Sequence, residues 1–477
     1  MTRIFIHIAL FTFLLSGSSY AQDKIELKNA DELKGKVIDG KNVREATGNV
    51  ILEQGNIKVY CNSAVQYIDE NRVELTGNVK ILQDTLSLFT SRGVYDGNEK
   101  KATGRNGVTL KDPNATLTAS NGIYYFNDTK AIFNGNVKIV NEDYTITSDE
   151  LTYIRNTEDS FAKGNVIVTT DSAITTAENI DFFKRQGKTV AYVDARIDSD
   201  STIITSDSLI NFSQEKKSFA SGNVKIENLR NNVLVYGDYL ENYEDSNYSK
   251  ISGNTRLIQI EEDKNSNKKD TLFIYSKSME AFRNIPEYYV ATDSVEIIRD
   301  EFLSKCGKAI YYKDSETVSL SIEPIVWQDN SQMTGDSIYA DLPGNKLQTI
   351  YIRKLSTLPV SKTSFVISSN DESGFSDRYN QVSGTDITMN FVDEKINLVD
   401  VTDNSTSIYF IFEGQKGNGV NKSEGKNMKV YFDEEEKVSR ISIESEPVGQ
   451  YIPEIKIAGE NLFLPGFDIR EDKPERR

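Results

Sequence analysis

Histidine is almost missing from this chain: His7 is the only one in 477 residues. From residue 8 onward no Ser-His-Asp or Cys-His catalytic arrangement and no His-ligated zinc site can be built. An enzyme would have to work with carboxylates, Tyr or Lys alone, and the chain reads as a non-enzyme that needs no cofactor. Positive charge is in deficit as well. A net charge of -17 speaks against nucleic acid as a partner, because neutralising phosphates takes a surplus of Lys and Arg. Long apolar runs are lacking too. The longest, Ile4 to Leu15, is about a dozen residues, against the ~20 a membrane-spanning helix needs. With Arg3 before it and the small residues Ser19 and Ala21 after it, that run reads as a signal peptide over residues 1–21, which predicts export. Proline is sparse: only Pro113 precedes Pro286, as a long, continuously paired sheet would require.

What the chain does have is repetition. The phrase GNV recurs at Gly48, Gly77, Gly135, Gly164 and Gly222, with GNT at Gly253. Its valine keeps a spacing of 29 through Val50, Val79, Val108, Val137 and Val166, gives way to Ala195, and returns at Val224. Half a period away an aromatic keeps the same spacing through Tyr95, Tyr124, Tyr153 and Phe182. Around both registers apolar and polar residues alternate, as in strands with one buried face. The inward positions are Val50, Leu52, Ile57, Val59, Val79, Ile81, Leu86, Leu88, Val108, Leu110, Val137, Ile139, Val166, Val168, Val224 and Ile226. Asn78, Lys80, Asn136 and Lys138 point the other way.

Short polar groups separate the segments, so consecutive strands can pair as hairpins. The Gly-Asn pair itself reads as a bend inside a strand, because strand-like residues continue on both sides of it; a hairpin turn is the alternative. The pattern runs over residues 36–355. A looser β module follows over 360–467, and the charged tail 468–477 is expected to lack order.

The segment ATGNVILEQGNIKVYCNSAVQY, Ala46 to Tyr67, resembles the opening repeat of the periplasmic OstA/LptA family, through Thr47, Gly48, Asn49, Val50, Gln54, Gly55, Ile57 and Val59. The resemblance implies an all-β fold of stacked antiparallel strands in an extended, open β-jellyroll. It implies a periplasmic protein that carries lipopolysaccharide from inner to outer membrane, with the acyl chains in an apolar gutter lined by the inward positions above. It further implies partners with OstA-like β modules in both membranes, docked end to end by strand addition, with one edge near Val37 to Glu53. The chain departs from the family in its length and its C-terminal module. In a closed sandwich the same inward residues would simply fill a core.

The two cysteines, Cys61 and Cys306, occupy the same slot of the repeat, six residues before Tyr67 and Tyr312. At ~4.8 Å per strand they lie too far apart for a disulfide, whose Cα atoms must approach within about 7 Å. The acidic stretches Ile197 to Ser208 and Asp433 to Lys437 lack a calcium-loop pattern and read as solvated faces. An exported β-helix adhesin or polysaccharide-active protein is the competing reading. An outer-membrane barrel is not, since the outward positions are polar.

Overall fold

In the computed structural model, residues 23–262, 269–300, 302–355, 362–370 and 374–477 are described; the expected signal peptide, 1–21, lies outside them. Among the described residues are thirty-four strands, β1 to β34 in chain order, and the described pairings are antiparallel throughout. The fold is all-β and built of stacked antiparallel strands, as the alternating pattern predicts. A β-helix, whose coils pair in parallel, is thereby removed. By contacts the chain divides into two compact units, residues 1–164 and 165–477. The boundary falls inside a strand of the repeat run, β11 (Asp159–Thr169).

The repeat unit is a pair of bent strands. In β5 (Arg72–Gln83), Gly77 and Asn78 adopt φ of 76° and 47°, and the register with β6 (Leu86–Asp96) jumps from Thr76↔Arg92 to Val79↔Thr90. Two residues therefore oppose one, a bulge that turns the strand without ending it. A side chain at Gly77 would also place its Cβ 2.8 Å from Asn62 Nδ2. The Gly-Asn phrase is thus a corner within a strand and not a hairpin turn.

Each strand contributes one half to either of two facing walls. On the first, which carries the repeat valines, Leu52, Val59, Ile81, Leu88, Leu110, Leu117, Ile139 and Ile146 follow one another in register from β3 (Lys41–Gln54) to β10 (Thr145–Ile154). On the second, Val73, Tyr95, Ala102, Tyr124, Ala131 and Tyr153 do the same. We call these the valine wall and the tyrosine wall.

In the first unit the walls are closed on each other. Tyr95, Tyr124 and Tyr153 are buried, and Phe126 meets Tyr95 and Tyr124 edge to face at 6.0 and 4.9 Å. Bonds also cross between the walls: Tyr95 Oη donates to Gln54 Oε1 at 2.5 Å, Arg155 Nε to Asp112 Oδ2 at 2.6 Å, and Asn114 Nδ2 to Glu158 Oε1 at 3.1 Å. The edge strands β1 (Glu26–Asn29) and β2 (Glu32–Ile38) share β3 between them, and Asp31 accepts a bond from the bend residue Asn49. β2 is almost wholly exposed, with Leu33 and Val37 turned to solvent.

In the second unit the same bent strands run from β12 (Ala173–Phe183) to β20 (Phe302–Tyr312). There the corner breaks. Ile322 and Glu323, both at positive φ, separate β21 (Thr317–Ser321) from β22 (Ile325–Gln328), and both strands pair with β20. Beyond this point the walls continue as two distinct layers, one ending at β33 (Val438–Glu444) and the other at β34 (Val448–Pro453). They enclose a continuous core that includes Val326, Met333, Ile338, Ile352, Met389, Val401 and Met428.

The tail 468–477 is not without order. Residues 457–477 form an extended strap whose backbone is received by side chains of the valine-wall layer. Gln381 takes Leu462 O and Leu464 N at 2.8 and 2.9 Å, and Gln332 takes Asp468 O and Arg470 N at 2.7 and 2.8 Å. Tyr275 Oη takes Arg477 N and O at 2.9 and 3.2 Å. Pro474 is buried and Arg476 lies over the Phe273 ring. Charge counting failed here because the tail's charges find partners on the sheet, Asp472 with Lys305 and Arg477 with Glu296, while Gln332 and Tyr275 receive its backbone.

Candidate functional site: an open trough between two walls

The inward positions divide by unit. In the first unit Val50, Leu52, Ile57, Val59, Val79, Ile81, Leu86, Leu88, Val108, Leu110, Val137 and Ile139 are all at most 2% exposed. In the second, Val166 and Val224 are equally buried, but Val168 and Ile226 are only half-buried.

Ile226 belongs to a longer row. Across β13 (Lys188–Ser199), β14 (Thr202–Phe212), β15 (Lys217–Asn228), β16 (Val233–Tyr243), β17 (Tyr248–Glu262) and β18 (Lys269–Phe282), the residues Ile197, Ile204, Ile226, Val235, Leu257 and Ile274 stand side by side in register. All six are half-buried. Only the side chains next to the bend are closed off, such as Ala195, Val224 and Thr255 on one side and Ala191, Leu209, Ala220 and Leu240 on the other. The corner is packed while the walls above it stand open to solvent.

The tyrosine wall accounts for the opening. The slot filled by Tyr95, Tyr124 and Tyr153 holds Phe182 on β12, then Asn211 on β14, Asn242 on β16 and Ala281 on β18. The intervening strands present Thr189, Ser218 and Ser249. Among the described residues no aromatic occupies this slot on β13 to β18, and the aliphatic row opposite is left half uncovered. Arg283 reaches the polar row and donates to Ser249 Oγ at 2.8 Å and Asn242 Oδ1 at 3.3 Å.

Sequence reasoning found Val168 and Ile226 but passed over Leu257 and Ile274, and it read Ile197 and Ile204 into a solvated face, Ile197 to Ser208, whereas the register sets both in the inward row. The signal was present: Ile81, Leu110, Ile139, Val168, Ile197 and Ile226 lie on one 29-residue grid. The absence of an aromatic at 211, the next step after Phe182, marks where the interior ceases to be filled.

The outer face of the tyrosine wall is inverted in polarity. One register row carries Phe183, Lys188, Phe212, Lys217, Tyr243, Tyr248, Phe282, Tyr288 and Tyr312. Neighbouring rings approach closely, to 5.0 Å for Tyr248 with Phe282 and 4.5 Å for Phe282 with Tyr288.

Cys61 and Cys306 occupy equivalent slots, opposite Val50 and Val295, and both are free and buried. Burial pushes their thiols up, to about 11 and about 12. No group of acidic or thiol side chains suited to a metal ion occurs among the described residues.

Residues 22–178, about a third of the chain, match the family model of OstA-like proteins. Among solved structures, the chain is similar to LptH from Pseudomonas aeruginosa, described as the LptA homologous periplasmic component of the conserved lipopolysaccharide transport device. The identity is 15%, the match covers 25% of this chain and 82% of that one, and the TM-score is 0.23. No curated protein matches.

Proposed function

We propose that the protein is a periplasmic, non-enzymatic carrier that moves lipopolysaccharide between inner and outer membrane, holding acyl chains in the trough of its second unit. The observation that carries this reading is the half-uncovered aliphatic row from Ile197 to Ile274. A carrier must cover its cargo, since each exposed methylene costs about 0.8 kcal/mol. A row of equivalent aliphatic rungs one strand apart covers a chain while offering no single position that traps it. The OstA-like match of residues 22–178 supports the cargo class. The exposed edge strand β2 suits end-to-end addition of a strand from a membrane-anchored partner with a similar β module.

This reading moves the lipid contacts from the buried positions of the first unit to Val168, Ile226 and the row they share. A photo-crosslinking residue placed at Ile204, Ile226 or Val235 should capture lipopolysaccharide in cells, and one at Val79 or Ile139 should not. Capture at the two buried positions with none in the trough would overturn the assignment.

A further inference from the structure

We propose that the outer face of the valine-wall layer is a receptor for an extended peptide, that residues 457–477 are its resident occupant, and that the same segment of a second copy of this chain takes the seat by exchange. This exchange does not depend on the trough holding lipid.

The seat recognises backbone. Gln381 takes the carbonyl of Leu462 and the N–H of Leu464, and Gln332 does the same for Asp468 and Arg470. Each glutamine thus meets residues i and i+2 of an extended chain through one amide, as a neighbouring strand would, whichever molecule supplies that chain. Both are built into the face, at 1% and 4% exposure. Leu462 and Leu464 pack on the cluster of Ile408, Phe410, Val420 and Ile452. A strap from either copy makes the same contacts, so exchange sacrifices none of them.

Beneath the seat the fold is closed without the strap. Val326 and Met333 alternate with Trp327 and Gln332 and face the enclosed core, so a departing strap uncovers the outer face alone.

The root and the free end suit exchange as well. Arg378 forks onto Glu454 at 2.6 and 3.0 Å and holds the short turn Glu454–Lys456 to the body. Beyond it Gly459 is exposed at φ 95°, with nothing within 4 Å of where a Cβ would stand, and serves as the hinge. The segment past that hinge reaches about 60 Å when extended. Its distal ion pairs, Asp472 with Lys305 and Arg477 with Glu296, lie at the surface and hold weakly. Tyr451 and Ile455, at 50% and 89% exposure, stand at the root, and a second copy whose strap crosses there covers apolar surface that one copy leaves in water.

The test mixes two full-chain variants at high concentration, one carrying Lys305→Cys and the other Asp472→Cys, the partners of a 3.2 Å pair between seat and strap. The native Cys61 and Cys306 are buried. Under mild oxidation the mixed disulfide should exceed the like-with-like disulfides severalfold. Adding Gln332→Leu and Gln381→Leu to the Lys305→Cys chain should bring the mixed species down to that background, because the incoming strap then leaves an intact seat for a weakened one. A single chain carrying both cysteines should close on itself. If it does so while the mixed disulfide stays at background, exchange is overturned. Failure of that chain to close, or a mixed species indifferent to the two leucines, overturns the seat.

Discussion

At the scale of single residues, the bend of each repeat is a pair of residues at positive φ, and the occupants differ in what that conformation costs them. Gly222 and Asn223 hold φ of 75° and 47°, ordinary for those types, whereas β13 puts Val193 and Asp194 there at 63° and 55°. A β-branched side chain is poorly suited to this region, at a cost of about 1–2 kcal/mol. Val193→Gly should therefore stabilise the protein by about 1 kcal/mol, read as a higher urea midpoint. Gly222→Ala should lower it by more than 1–2 kcal/mol, because the new Cβ would also meet Asp207 Oδ2 at 2.2 Å. Equal midpoints for the two variants would remove the strain argument. The buried cysteines make a second residue-scale prediction. An unfolded thiol ionises near 9 while the Cys61 thiol stays neutral to about 11, so the unfolded state releases its proton first. Stability then falls as pH rises through that window. In Cys61→Ala, pH titration of the melting temperature should show a shallower fall between about 9 and 11.

At the scale of elements, one slot on alternate strands decides whether the interior is filled or open. Tyr124→Ala should cost about 3–5 kcal/mol, the range for deleting a buried aromatic, and should not confer lipid binding on the first unit by itself. The reverse exchange is more informative. Asn211→Tyr combined with Asn242→Tyr restores the filling side chain where the second unit lacks it. Lipid capture at Ile226 should drop severalfold with the thermal midpoint unchanged or raised, and undiminished capture would show that this slot does not control access. Much of this was legible in the sequence. Val50, Val79, Val137 and Val224 stand next to the corner because period-2 alternation and a fixed 29-residue spacing both report local strand geometry. The difference between buried Ile139 and half-buried Ile226 was not legible at either residue, since both are Ile in the same phrase. It depends on what the facing wall places opposite them, and the facing residues lie on other strands.

At the scale of the whole molecule, the second unit is fastened by a segment that sequence composition misread. DIREDKPERR carries the charge of a solvated tail, yet its backbone is received by Gln332 and Tyr275, and the preceding Leu462 and Leu464 by Gln381. Nothing local in those words announces a partner, because the receiving side chains stand about 80 to 200 positions earlier. Trp327, the single tryptophan, offers a direct readout. It is 2% exposed and pairs with Gln332 in register, beside the strap. Removing residues 457–477 should red-shift its emission and speed hydrogen exchange in the strand Ser331–Thr334. Emission unchanged from the full chain would mean that the strap is not what covers it.

The strap also imposes an order on assembly. Most of the bent strands are joined to the next by short hairpins, so the sheet can be laid down one hairpin at a time, each closure spanning few residues. The bonds between Arg477 and Tyr275 span 202 positions, and Gln332 meets its strap partners across 136 and 138. None of them can form until β18, β23 (Ser331–Thr334) and β27 (Phe375–Gly384) stand in their final layer. A chain stalled at an earlier hairpin would therefore lack the partners that receive residues 457–477 in the finished fold.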